Sequence, residues 1–305
     1  MEHSATTSGT NLLRTLSDQM ADAVERISPA LVLVNGRGRQ PASGVIYQQH
    51  LVLTANHVLE RDNDITIKTS DARTLPAKLV GRDSMTDLAV LRVADLGLDA
   101  AAPSDEAARV GQLVMTVGRP GNDGPMASAG IVSASGGPLR TERGTALARY
   151  IRTDATPYPG FSGGPLIDMR GAVLGILTTG LVNGAPFVIP IDIAKNIADT
   201  LVKHGAIKRG YLGISSQLVQ LSDEQRAGRK QEHGLRILHV DEQSPASRGG
   251  VLVGDILLSI DNHDIRDSED LQQVLTGDRV GKTVSVQVIR GNSLQTLSIT
   301  IGQRT

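Results

Sequence analysis

Gly160-Phe161-Ser162-Gly163-Gly164-Pro165-Leu166 is the stretch on which the reading of this sequence turns. A serine flanked by glycines, directly before an apolar segment, is how a nucleophilic hydroxyl is held at a tight turn. Glycine has no Cβ, so the backbone bends sharply there and its N–H groups can converge. The N–H groups of Gly160 and Ser162 are the pair placed to form an oxyanion hole for a tetrahedral intermediate. The same letters also suit an ordinary glycine-rich hairpin turn with a solvated serine. A short motif acquires meaning only from its partners.

Those partners stand upstream. His57 follows the β run His50 to Thr54, in the small-residue turn Thr54-Ala55-Asn56. Asp87 leads into the apolar run Leu88 to Val93, where an acid can be semi-buried and point at a neighbouring imidazole. Asp83 is the rival acid, but it lies further from that run and reads as a turn residue. His57, Asp87 and Ser162 therefore occur in the chain order of the chymotrypsin-type triad, each at a strand-to-loop transition. The chemistry asks for these three types. A hydroxyl is a poor nucleophile at neutral pH and needs a base. An imidazole with a reference pKa near ~6.5 can take the proton and return it to the leaving amine. A carboxylate holds the imidazole in the right tautomer and stabilises its cation. An esterase of α/β-hydrolase type would need the order Ser…Asp…His and a helix after the serine, and neither is present.

Composition agrees with an all-β scaffold. The chain has 305 residues, enough for two ordinary domains, with 33 glycines, no Trp, 2 Phe and 4 Tyr. Its apolar runs are short and rich in Val, Ile and Leu, as in many strands joined by turns. Formal net charge is -1 from 31 basic and 32 acidic residues, with no basic stripe, which argues against a nucleic-acid partner. The lack of Cys excludes disulfides, thiolate metal sites and a cysteine nucleophile. No metal site or cofactor is expected. No apolar run approaches the ~20 residues that span a bilayer. No targeting signal is visible in the first residues, so the chain reads as cytoplasmic, or as periplasmic or extracytoplasmic if a signal has been removed.

Along the chain, Leu12, Leu16, Met20, Ala23, Val24 and Ile27 recur at helical spacing until Ser28-Pro29. Strands follow from Ala30 to Pro190, with Gly136 to Gly144 expected as a loop. Asp192 is expected to cap a helix carrying Ile193, Ile197, Leu201 and Val202, with Gly205 at its left-handed end. A boundary there divides the chain into an N-terminal segment and helix (1–28), a first domain (29–205) and a second (206–305). The last reads as strands with two short helices, one opened by a capping box at Ser222 to Gln225 and one over Asp267 to Leu275.

The sequence resembles the high-temperature-requirement (HtrA/Deg) family of serine proteases. The matching stretches include Ser28-Pro29-Ala30, Ser43-Gly44-Val45-Ile46, Thr54 to Val58, Thr86 to Leu91, Gly130-Ile131-Val132-Ser133, Thr153-Asp154-Ala155, Pro159 to Leu166 and Ile189-Pro190-Ile191. Beyond Gly205, Tyr211-Leu212-Gly213-Ile214, Ser244-Pro245-Ala246, Gly254-Asp255-Ile256-Leu257 and Ile260-Asp261 resemble the PDZ domain that follows such proteases. The resemblance implies a mainly β chain, a trypsin-like double β-barrel followed by a PDZ domain. It also implies an ATP-independent serine endopeptidase that cleaves unfolded or damaged protein. The alternative is a protease-inactive, peptide-binding holdase acting through its PDZ domain. Phe161 is the feature that favours this alternative, if it stops the Gly160 N–H from turning inward.

The departures from the family pattern lie in the pocket and activation loop rather than in the triad. Phe161 replaces the usual Asn, Pro157-Tyr158 replaces Ile-Asn, and Leu177 stands in a Gly-Ile-Asn-Thr stretch. Thr156, six residues before the nucleophile, is where Arg/Lys-cutting trypsin-like enzymes carry an acid. With Leu177 and Thr178 it is expected to line a pocket for small or medium apolar side chains. The resemblance further implies a homo-oligomer, a trimer in the family, although the N-terminal segment has no aromatics to build such a contact. It also implies capture of C-terminal peptides: the backbone of Tyr211, Leu212, Gly213 and Ile214 would bind the carboxylate, and Leu271, Val274 and Leu275 would line a pocket for the last side chain.

Overall fold

The computed structural model describes residues 6–303 except 39, 142–143, 183, 208–209, 227 and 276–278. The chain divides into two compact units, Met1–Ile207 and Lys208–Thr305. It is mainly β, with two six-stranded barrels in the first unit and a PDZ fold in the second.

Helix α1 (Thr6–Ile27) leads the first unit. Its C-terminal half docks: Ala23 and Ile27 are buried and Met20 and Val24 pack beside them, whereas Leu12 and Leu13 are exposed. Pro29 lies within one turn of 3₁₀ helix that ends α1 and turns the chain into the first barrel. That barrel comprises β1 (Leu31–Asn35), β2 (Ala42–Gln48), β3 (Leu51–Ala55), β4 (Ile65–Lys68), β5 (Thr74–Asp83) and β6 (Leu88–Arg92). It closes in the order β1-β2-β3-β6-β5-β4. Leu31, Ile46, Leu53, Leu88 and Leu91 are fully buried. Truncating any one of them to Ala would cost about 2–5 kcal/mol.

The second barrel comprises β7 (Leu113–Gly118), β8 (Met126–Gly136), β11 (Tyr150–Thr153), β12 (Pro165–Ile167), β13 (Val173–Val182) and β14 (Ala185–Pro190). Its order is β11-β14-β13-β12-β7-β8. The segment expected as a loop at Gly136 to Gly144 instead contributes to a hairpin, β9 (Leu139–Thr141) paired with β10 (Gly144–Leu147). Leu139 and Leu147 face each other there and are both buried, which supplies the drive that the polar tip conceals. Helix α2 (Ile191–His204) packs back on the barrels through Ala194, Ala198 and Leu201. Its N-cap is Pro190, with no side-chain cap; Asp192 lies in the first turn and pairs with Arg149. A carboxylate inside the first turn still complements the positive end of the helix. Gly205 ends the helix in the left-handed region at φ 73°.

In the second unit, β15 (Gly210–Tyr211) pairs with β22 (Gly302–Gln303), joining the unit's two ends. The main sheet runs β16 (Ile214–Gln220), β17 (His233–Val240), β18 (Ile256–Ile260), β20 (Thr283–Arg290) and β21 (Ser293–Thr300), with β19 (His263–Asp264) on β18. Helices α3 (Asp223–Arg226), α4 (Pro245–Arg248) and α5 (Ser268–Leu275) complete it. The capping box is formed: Ser222 and Gln225 exchange side-chain and backbone hydrogen bonds. Helix α4 is a third helix beyond the two expected, opened by the Ser244 hydroxyl, which accepts the Ser247 N–H. The core contains Leu212, Leu235, Ile237, Ile260 and Val286.

Candidate active site

The nucleophile turn is built from both barrels. Phe161 donates its N–H to the Tyr158 carbonyl, closing a four-residue turn with Pro159 and Gly160 at its centre. Gly160 has φ 86°, the left-handed value that favours glycine in a type II turn. A Cβ there would also lie 2.5 Å from the Pro120 Cβ. The Phe161 side chain is fully buried, edge-on to Tyr158 at 5.4 Å, in the second barrel's cluster with Leu166 and Leu177. The first barrel supplies the brace. On β2, Ser43 donates its hydroxyl to the Gly160 carbonyl at 2.7 Å and accepts the Arg119 N–H at 2.8 Å. The Ser43 N–H reaches the Ser162 carbonyl at 3.2 Å.

The fate of the turn's N–H groups is informative. Those of Phe161, Gly163 and Gly164 each bond a carbonyl, of Tyr158, Leu177 and Phe161 respectively. Those of Gly160 and Ser162 donate to none among the described hydrogen bonds. The turn is exposed at Tyr158 and Pro159 and half-buried at Gly160, and two spared donors flanking Phe161 are what an arriving oxyanion requires.

His57 lies on a single 3₁₀ turn (Asn56–Val58) directly after β3, and Asp87 directly before β6. Strands β3 and β6 are hydrogen-bonded neighbours, paired from Leu51↔Arg92 to Ala55↔Leu88, so their ends bring the two residues together. The His57 Nδ1 lies 2.6 Å from the Asp87 Oδ2, and the His57 backbone N–H donates to the Asp87 Oδ1 at 2.8 Å. A carboxylate only accepts, so Nδ1 carries the proton and a neutral ring keeps Nε2 free as a base. Asp87 itself is held in the left-handed region at φ 58°, and the Asn56 N–H bonds its carbonyl at 2.9 Å. Asp83, the rival acid, closes its own turn by accepting the Thr86 N–H and hydroxyl and the Met85 N–H.

Strand β13 supplies the third side. The Thr178 hydroxyl donates to the Asp87 carboxylate and accepts the Gly180 N–H at 2.9 Å. The pocket role expected for Thr178 is therefore corrected: its fully buried side chain is spent on orienting the acid. Leu177, expected beside it, is also buried and packs in the second barrel's cluster, whereas Thr156 is exposed. Gly180 packs directly on the pair; a Cβ there would come within 2.5 Å of the Asp87 Oδ2 and 2.6 Å of the His57 Nδ1. The Ser162 hydroxyl pairs with the Thr179 hydroxyl at 3.2 Å. Ser43, Thr178, Thr179 and Gly180 were not singled out from sequence for these roles. Among the described residues, no group of three or more His, Asp or Glu could hold a metal ion.

Comparison with known proteins agrees with this geometry. Residues 42–176 match the trypsin-like peptidase domain family, and residues 210–301 match the PDZ domain family. A solved HtrA-type protease, AlgW with a bound tripeptide, is 31% identical, with a TM-score of 0.75 over 94% of this chain and 97% of that one. The chain belongs to the HtrA family of serine proteases. A serine endoprotease from Yersinia pestis has a TM-score of 0.77 at 29% identity, covering 94% of this chain and 98% of that one. A probable periplasmic serine endoprotease, DegP-like, of Pseudomonas putida is 36% identical over 264 residues. That match covers 85% of this HtrA chain and 55% of the relative. A DegP-like relative from Rhizobium meliloti is 34% identical over 277 residues, 88% of this chain and 54% of its own length. The chain thus spans about half the length of these curated relatives.

The second unit presents the open edge of its sheet. Among the described residues strand β16 pairs with β17 on one side only, leaving its other edge available for an added strand. Gly213, just before β16, has φ 78° and lies so close to α4 that a Cβ would meet the Ser244 Cβ at 2.2 Å. Leu212 is buried, and its carbonyl accepts the Ala246 N–H; Tyr211 and Ile214 are half-buried. Leu271, Val274 and Leu275 are nine-tenths buried in the core of the unit. The helix residues expected to line a pocket are packed into the core of the unit, and the edge of β16 is the open edge of its sheet.

Proposed function

We propose that this HtrA chain is an ATP-independent serine endopeptidase acting on unfolded or damaged protein, with Ser162, His57 and Asp87 as its triad. The observation that carries the reading is the oriented His57–Asp87 pair, 2.6 Å apart, beside a serine turn with two unspent N–H groups. Ser162 Oγ attacks the scissile carbonyl after leaving Thr179 by a rotation about its Cα–Cβ bond. His57 Nε2 takes the hydroxyl proton as the C–O bond forms, and the Nδ1–H bond to Asp87 holds the resulting cation. The Gly160 and Ser162 N–H groups receive the oxyanion. The same imidazole returns its proton to the leaving amine, and water then hydrolyses the acyl-enzyme with His57 again as base. The inactive holdase reading rested on Phe161 jamming the turn. The inward burial of that ring and the φ 86° of Gly160 support the active reading instead.

We further propose a primary pocket for small or medium apolar side chains, since the position of Thr156 lacks an acid and Leu177 supplies apolar bulk. C-terminal peptides would add to β16 as a strand, with the carboxylate on the backbone around Gly213. The protease domain would occupy 29–205 and the PDZ domain 206–305, in a homo-oligomer, a trimer as in the family. No described helix is long and apolar enough to cross a membrane, and the names of the curated relatives favour the periplasm over the cytoplasm. Casein degradation by the parent chain and its loss in Ser162→Ala test the proposal. A folded Ser162→Ala protein that still degrades casein would overturn it.

A further inference from the structure

A cavity of about 490 Å³ opens on the first barrel away from the triad. Strands β3, β6 and β5 build it, and their register decides its chemistry. Leu51, Arg92 and Lys78 stand in one row, Leu51 opposite Arg92 and Arg92 opposite Lys78. Residues of alternate parity on β5, Leu75, Ala77 and Leu79, face the barrel core, so Lys78 and Pro76 face outward with Arg92. The walls are apolar: Leu51, Pro76, Ala94 and the aliphatic stems of the two cations.

Two like charges directly opposite one another on neighbouring strands destabilise a sheet. Among the described residues no acid is bonded to either cation; Arg92 and Asp199 both act on the Tyr47 hydroxyl, but only through space. Neither Lys78 nor Arg92 makes an ion pair or side-chain hydrogen bond among the described residues, and no acid lines the cavity. Elsewhere on the same barrel, Arg73 pairs with Asp71 at 2.7 Å and Arg82 with Asp62 at 2.9 Å. Asp199, on α2, is engaged by the Gln48 amide at 3.2 Å. His50 also lines the cavity, and its Nδ1 is buried with no hydrogen-bond partner among the described residues. The His50 backbone is fixed there, in the left-handed region at φ 64°, with its carbonyl accepting the Val93 N–H.

We propose that this cavity is a binding site for an aliphatic monocarboxylate, with the head group between Lys78 and Arg92 and the chain against Leu51, Pro76 and Ala94. The carboxylate supplies the acceptors that the row of cations lacks, and charge-assisted bonds to Arg and Lys are the strong class. The apolar walls select a chain over a bare anion, and the volume lies within the range of small-molecule sites. The site lies at the far ends of the strands that carry His57 and Asp87, so binding is to be read directly and not through proteolysis.

The test uses the full chain carrying Ser162→Ala, to prevent self-cleavage, with decanoate as probe. Calorimetry should show binding of decanoate, and no comparable binding of butyrate, decanol or decyltrimethylammonium. Hydrogen exchange should slow at residues 50–52 and 91–93 on adding decanoate. That location separates this site from any capture of the carboxylate by the PDZ unit. Lys78→Gln/Arg92→Gln should weaken binding by about tenfold or more, as expected for loss of charge-assisted bonds. The same variant, free of ligand, should melt at an equal or higher temperature than its parent, because the facing charges are gone. Equal binding of decanol, unchanged binding by the double variant, or protection confined to residues 211–220 would each overturn the proposal.

Discussion

Gly180→Ala should cripple turnover while leaving the fold in place. The added Cβ would lie 2.5 Å from the Asp87 Oδ2 and 2.6 Å from the His57 Nδ1, where ordinary van der Waals contact begins at 3.4 Å. The deficit is 3.4 − 2.5 = 0.9 Å against the acid. The carboxylate has little room to yield, because the Thr178 hydroxyl and the His57 N–H hold it from the other sides. The imidazole or the β13 backbone must then shift by most of an ångström. Misplacement of about 1 Å at a reacting group costs on the order of 10² in rate. Gly180 is not in the left-handed region, so alanine brings no backbone strain of its own. The assay is kcat/KM on a quenched peptide, with thermal melting as the fold control. Gly121→Ala, where a Cβ meets nothing within 4 Å, should leave turnover unchanged. A Gly180→Ala enzyme within about twofold of the parent would refute the close packing of β13 on the catalytic pair, because the ~10² loss for a 1 Å error would be absent.

Three further outcomes follow from the same geometry. Asp87→Asn should lower kcat by about 10⁴ by imposing the wrong His57 tautomer, whereas Asp83→Asn should leave kcat near the parent and lower the melting temperature by loosening its turn. Mapped cleavage sites should favour Val, Ala, Leu or Met before the cut over Arg or Lys, with a broad profile, since a methylene or two is worth only ~1–3 kcal/mol; a sharp basic preference would contradict the pocket assignment. A peptide ending in Val should bind the chain at about micromolar strength and its C-terminal amide far more weakly; equal binding of the two in calorimetry would show that no carboxylate is captured.

Much of this was legible in the sequence because the informative residues advertise themselves locally. Gly160 to Leu166 announces a turn, and His57 and Asp87 stand at the mouths of recognisable apolar runs. The capping box is a signal at a spacing of three, from Ser222 to Gln225, and Gly205 ends α2 in the conformation that glycine favours. What stayed hidden is long-range. Thr178 lies 91 positions from Asp87, and Ser43 lies 117 from the Gly160 carbonyl it braces. Ser43 lies in a stretch that matches the family and Thr178 in one that departs from it, but nothing local ties either hydroxyl to these partners. The β9–β10 hairpin escapes a local reading because Leu139 and Leu147 gain their drive from facing each other, not from a run. Leu271, Val274 and Leu275 form one helical stripe, but a stripe does not say whether it faces a core or a groove.

The central claim is that Ser162 is a nucleophile activated by His57. Labelling with an organophosphate, followed by mass mapping of the adduct, tests it most directly. The account predicts one adduct, on Ser162, formed by the parent chain and lost or strongly slowed in a folded His57→Ala variant. An adduct elsewhere, or labelling of Ser162 at the same rate without the imidazole, would contradict it.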